Sequence, residues 1–247
     1  MRLDPRTVDA VVLDTDGVLT NSRALRSAAW QETLDAYLAQ YAHVTGHPRP
    51  RRAVSASRVG GLTGLLEQDT AAALLQAQGR LANLAEQHLG PAGEDLLDLL
   101  VRYADHRFLE LLQSEGVRAR SGAARLLFDL RAAGIRTAAL STSRHGEQLL
   151  RSAGLVGLVE DRVDAADAEH YQLAGPPEPA MYRLALKRLH CVPGRAALLT
   201  DTAAGLAAGA RAGFGRLVAV ASDDAPWEGP EPVVPGLDAV VVPPAVR

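Results

Sequence analysis

Lysine is almost missing from this chain: Lys187 is the only one, and arginine supplies the rest of the 26 basic residues. Any chemistry that needs an ammonium group beside its site must therefore use Lys187 or substitute a guanidinium. Cysteine is as scarce. Cys191 stands alone, which excludes an internal disulfide. Positive charge is not in excess either. A net charge of -3 argues against a nucleic-acid footprint. No apolar run is long enough to span a bilayer. The first ten residues, MRLDPRTVDA, lack the apolar core of a signal peptide, so a cytoplasmic protein with no membrane contact is expected. What remains is a 247-residue chain, 47% hydrophobic and 22% charged, with enough length to bury one large core or two modest ones.

The apolar pattern changes character along the chain. Val8 to Leu13 reads as a short buried strand. From Arg23 to Tyr41 the spacing is helical, with Leu25, Ala28, Ala29, Leu34, Leu38 and Tyr41 on one stripe. GHPRPRR, 46 to 52, is a loop. Two more helices are expected over 69 to 89 and over Glu94 to Gln113, with no strand between 23 and 113. After Gly116 helices and strands alternate. Helices are expected at Ala123–Ala133, around 145 to 153 and at Met181–His190, and the acidic run Asp161, Asp164, Asp167, Glu169 as a solvated loop. Strands are expected in IRTAALSTS, within LVGLVEDRV, in RAALLTDT, at 216 to 221 and at 238 to 242. This alternation implies a doubly wound α/β parallel sheet, built from 1–22 and 114–247, with 23–113 as a helical insertion.

Three of these strands end in polar residues: Asp14 and Asp16 after the first, Ser141 to Ser143 after the second, and Asp201 after RAALLT. In an open parallel sheet such ends face the ligand crevice. Carboxylates gathered there repel one another and call for a cation. Hard oxygen donors suit Mg²⁺, which keeps several waters and accepts substrate phosphate. One carboxylate has the chemistry of a nucleophile at phosphorus. The second, two residues on, has that of a proton shuttle.

On these residues the chain resembles the haloacid dehalogenase superfamily. LDTDGVLT is similar to that family's first motif. AALSTSRH is similar to its second, in the form seen in the β-phosphoglucomutase-like phosphatase branch, and LLTDTAAGLAAGARAGF to its fourth. The resemblance implies a Rossmann-like core carrying a helical cap at 23–113. It implies Asp14 as the nucleophile that forms an aspartyl-phosphate and Asp16 as general acid/base. Asp14, Asp16 and Asp201 become the Mg²⁺ ligands, and Ser141, Thr142 and Arg144 the binders of substrate phosphate. The substrate implied is a small phosphorylated metabolite, handled by a monomer or homodimer, with hydrolysis favoured over mutase chemistry.

The third motif departs from the pattern. Where the family places Gly-Lys-Pro-x-Pro-Asp, this chain reads AGPPEPA, with Pro176 for the lysine and Ala180 for the aspartate. Lys187 lies roughly 16 Å further along the next helix, at about 1.5 Å per residue. Arg144, Arg183 and Arg162 are the candidate replacements, in that order. The fourth motif carries Thr200 where the family has a second acid, and Arg26 stands where the mutase branch has a histidine. Losing one phosphoryl stabiliser typically costs on the order of 10²–10³ in rate. Two readings therefore stay open: a Mg²⁺-dependent phosphohydrolase, and a catalytically degraded member with a binding or regulatory role. A dehalogenase is disfavoured because Asp16 is present.

Overall fold

The computed structural model describes residues 1–46, 59, 62, 64–77, 96–221 and 231–244. The chain divides into two compact units, Met1–Ser22 with Val117–Arg247, and Arg23–Gly116.

The first unit is built on β1 (Ala10–Asp14), whose five residues are all buried. A strand covered on both faces needs such an unbroken apolar run. It lies centrally in a six-stranded sheet of order β3-β2-β1-β4-β5-β6, formed with β2 (Arg136–Leu140), β3 (Asp161–Val163), β4 (Ala196–Thr200), β5 (Arg216–Val220) and β6 (Val233–Val234). Every pairing is parallel. The order reverses direction between β1 and β4, which makes the ends of those two strands the crevice of a doubly wound fold. Register sets what meets there. Asp14 pairs with Leu140 and Leu13 with Leu199, so Asp14, Ser141 and Thr200 emerge on one edge of the sheet. Leu126, Leu127, Leu130, Val11, Leu13 and Leu199 belong to one core cluster that anchors this edge.

The second unit is helical among its described residues. It contains α1 (Ser22–Thr45), α2 (Glu67–Ala77) and α3 (Leu96–Glu115). Trp30, Leu34, Leu38, Leu74, Leu100 and Ala104 share its core. The loop at 47 to 52, the end of the second expected helix beyond Ala77, and Glu94 lie outside the described residues.

The remaining helices belong to the first unit: α4 (Ala123–Ala132), α5 (Gly146–Ser152), α6 (Ala165–Tyr171), α7 (Ala180–Arg188) and α8 (Ala203–Ala212). Two expectations are corrected. The segment 238 to 242 is not a strand. Leu237–Ala239 is a 3-10 turn, and Val241 forms an isolated bridge with Arg2. The last strand is Val233–Val234, and it stops at Pro235, which has no N–H to extend the ladder. The acidic run is not a solvated loop either. Asp161 opens β3, and Asp164 caps α6 in a reciprocal capping box with Asp167. Arg188 pairs with Asp167 at 2.5 Å.

Candidate active site

β1 delivers Asp14 at its last position and the chain then turns at Gly17, whose φ of 83° belongs to the left-handed region that glycine tolerates. The turn folds back on itself. Leu19 N–H donates to the Asp14 carbonyl at 3.1 Å and Thr20 N–H to the Thr15 carbonyl at 2.9 Å. Arg120 fastens this turn to the end of β5, donating to the Gly17 carbonyl at 2.8 Å and the Ala221 carbonyl at 3.3 Å.

Both acids are buried, Asp14 at 8% exposure and Asp16 at 5%. A buried carboxylate must be hydrogen-bonded, and here neutral hydroxyls contribute from several elements. Ser22 Oγ donates to Asp16 Oδ1 at 2.7 Å, and Ser141 Oγ to Asp16 Oδ2 at 2.7 Å. Thr200 Oγ1 donates to Asp14 Oδ2, and Tyr182 Oη approaches Asp14 Oδ1 at 3.4 Å. Two sequence-singled residues, Asp16 and Ser141, are thus in direct contact.

The others are placed as follows. Thr142 is buried beside Ser141 at the end of β2. Asp201 is half-buried and directly follows β4, one residue past Thr200. Arg144 is exposed and reaches Glu169 at 3.7 Å. The other two candidate cations have partners elsewhere in the unit. Arg162 pairs with Glu147 at 2.5 Å, and Arg183 donates to the Arg211 carbonyl at 2.9 Å. Pro176 is buried and carries no charge.

Sequence reading alone does not single out Ser22, Thr200, Tyr182 or Arg120 as parts of this site. Thr200 stands out there only as a missing acid. Tyr182 is legible at most as a hydroxyl-bearing residue on the buried stripe of α7, beside Met181, Ala185 and Leu186.

Donor chemistry decides which cation fits. Asp14, Asp16 and Asp201 offer oxygen only, the donor type of Mg²⁺ rather than of zinc. Among the described residues no group of three or more His, Cys, Asp or Glu side chains is placed to hold a metal ion. Two carboxylates joined by a backbone carbonyl and water would still suit Mg²⁺, which needs few protein ligands.

A doubly wound sheet with Asp14 ending its central strand and Asp16 two residues on is the framework of an α/β enzyme with an acidic crevice. Residues 8–213 match the haloacid dehalogenase-like hydrolase family, and the chain belongs to that family. A β-phosphoglucomutase of Mycobacterium bovis is 30% identical over 216 residues, covering 87% of this chain and 82% of that protein. A crystallised HAD-family hydrolase from Deinococcus radiodurans, holding phosphate and sodium, is 30% identical, with a TM-score of 0.55 over 87% of this chain and 81% of that one. CbbY from Rhodobacter sphaeroides in complex with phosphate shares the fold, with a TM-score of 0.69 at 23% identity over 94% of this chain and 96% of its own.

Proposed function

We propose that this hydrolase removes phosphate from a small phosphorylated metabolite, with Asp14 as nucleophile and Mg²⁺ as cofactor. The supporting observation is the placement of two buried acids, each held by neutral hydroxyls, at the crevice between β1 and β4. In this reading an Asp14 oxygen attacks phosphorus and the bond to the ester oxygen breaks. Asp16, protonated in the loaded site, gives that proton to the departing oxygen, then takes one from the water that cleaves the aspartyl-phosphate and frees inorganic phosphate. Thr142 and Arg144 are the proposed contacts to the phosphoryl group, joined by Ser141 when its hydroxyl turns from Asp16 to the bound phosphate. Asp14 and Asp201 through their carboxylates and Asp16 through its backbone carbonyl are the proposed ligands of Mg²⁺, which when bound would neutralise charge on the phosphoryl oxygens. Two relatives, a β-phosphoglucomutase and a HAD-family hydrolase crystallised with phosphate, support phosphate as the recognised group.

One observation favours the second reading, a binding protein on the same fold. Pro176 supplies no cation, and Arg162 and Arg183 direct their head groups at Glu147 and the Arg211 carbonyl. A screen of sugar and nucleotide phosphates, with and without Mg²⁺, separates the two. Turnover that requires Mg²⁺ and disappears in Asp14→Asn supports the enzyme. Wild-type turnover retained in Asp14→Asn refutes the mechanism, and no turnover of any ester leaves the binding reading.

A further inference from the structure

The Asp14 carboxylate lies at the end of a directed chain of neutral hydroxyls. Gly205 N–H, in the first turn of α8, donates to Thr202 Oγ1 at 2.9 Å. Thr202 Oγ1 lies 3.2 Å from Thr200 Oγ1, and Thr202 N–H donates to the same Thr200 oxygen at 3.2 Å. Thr200 Oγ1 donates to Asp14 Oδ2. The direction follows from the ends. An ionised carboxylate only accepts, so Thr200 must spend its one proton on Asp14. Thr200 is then the acceptor toward Thr202, whose own oxygen is already receiving the helix N–H. The polarity of the helix N-terminus is passed along two hydroxyls, each bond polarising the next.

Gly205 makes this arrangement possible. A Cβ there would press into the Thr200 hydroxyl and come within 2.8 Å of Thr202 Oγ1 and 2.9 Å of Tyr182 Oη. Three hydroxyls thus occupy the space of one absent side chain. Tyr182 is held beneath them, 1% exposed, with its ring edge-on to Phe214 at 6.2 Å between centroids. Its hydroxyl faces the other oxygen of Asp14 at 3.4 Å, a long contact of the kind that tightens when a site is loaded.

We infer that Thr200 and Tyr182 are positioning residues for Asp14: their hydroxyls fix its carboxylate in one orientation. The inference builds on the nucleophile assigned above, so its test carries one arm that needs no turnover. High-resolution crystal structures of wild type, Thr200→Val, Thr200→Ser and Tyr182→Phe are compared for the Asp14 side chain. One ordered orientation is expected in wild type and Thr200→Ser. A second orientation or a lost one is expected in Thr200→Val and Tyr182→Phe. In the kinetic arm Thr200→Val lowers kcat about tenfold or more with KM little changed, as for a lost bond to a charged group. Tyr182→Phe costs less, and Thr200→Ser restores most of the rate. An Asp14 carboxylate that stays ordered and unmoved in both Val and Phe variants overturns the inference. If the carboxylate moves but no ester is turned over by wild type, the phosphohydrolase reading fails while the positioning role stands.

Discussion

Ser141 Oγ lies 2.7 Å from Asp16 Oδ2, joining residues 125 positions apart in the chain. The contact exists because β1 and β2 are adjacent parallel strands in register, so that Ser141 follows the residue paired with Asp14. It turns two separate sequence signals, an acid after one strand and a hydroxyl after another, into one buried pair. In the proposed mechanism this pair holds the proton shuttle ready, with Ser22 bonded to the second oxygen.

Ser141→Ala removes one of those two donors and leaves a buried carboxylate short of a partner. A bond to a charged group contributes roughly 1.5–3 kcal/mol. The expected outcome is a kcat lowered at least about tenfold, with the far-UV spectrum unchanged. Steady-state kinetics on the best ester from the screen would check it, and an unchanged kcat would show that Asp16 does not need this partner.

The nucleophile has a covalent signature. Acid-quenching the wild-type enzyme during turnover and mapping the peptides should place a phosphoryl group on the peptide that carries Asp14. Asp14→Asn should show no adduct while keeping the fold, because amide and carboxylate have nearly the same shape. An adduct on another residue would reassign the chemistry.

Much of this was legible in the sequence, for a physical reason. Buried parallel strands are continuous apolar runs, and their polar last residues mark the crevice, so Asp14, Ser141 and Asp201 can be found by reading strand ends. Side-chain aim is not written in that pattern. Ser22 and Tyr182 reach the acids through helix starts and faces, and their periodicity reads only as helix. Thr200 was visible as a departure from the family pattern, yet its donation to Asp14 depends on a register seen only in the folded chain. The end of the sheet is not legible in the sequence, because VVP and AVVVPP look alike as apolar runs. Pairing with β5 chose the first, while Val241 bonded to the chain start.

Asp164 gives a pH dependence whose sign can be worked out. Burial raises its pKa above the ordinary carboxylate value, although the α6 amides it caps oppose the shift. A raised folded-state pKa means the native state disfavours the charged form. The native state is therefore penalised as pH rises from the unfolded pKa, near 3.8, through the higher folded one. Asp164→Asn keeps the capping acceptor without the charge. Urea unfolding should show wild type losing stability relative to Asp164→Asn as pH is raised through that window. The reverse trend would mean that the capping bonds outweigh burial.

Packing of α8 on the sheet offers a test that does not depend on activity. A Cβ at Gly209 would lie 2.5 Å from Leu198 Cδ2 and 2.7 Å from Leu217 Cδ2, so the helix rests on β4 and β5 at that glycine. Overpacking of this sort costs about 1–3 kcal/mol. Alanine's better helix propensity returns about 1 kcal/mol of this, so Gly209→Ala should lower stability by a smaller net amount, up to about 2 kcal/mol. A stabilised variant would mean that the two leucines yield without cost.

The last prediction concerns two departures from the family pattern that cancel in charge. Pro176 replaces a lysine and Thr200 replaces an acid, so the chain lacks one charge of each sign. Restoring the acid alone is costly. Thr200→Asp removes a donor to Asp14 and sets a new carboxylate against it, in a site already holding Asp16 and followed by Asp201. A loss of about 2 kcal/mol in stability is expected, with kcat falling in step. Pro176→Lys in the wild-type background adds a cation where Thr200 already satisfies one Asp14 oxygen, and its effect should be smaller. In the Thr200→Asp background the same lysine meets an uncompensated carboxylate, and it should recover most of the loss. The double-mutant cycle should therefore show a favourable coupling of at least about 1 kcal/mol in stability and about fivefold in kcat. Strict additivity would mean that the two departures are unrelated, and that position 176 does not feel the charge at position 200.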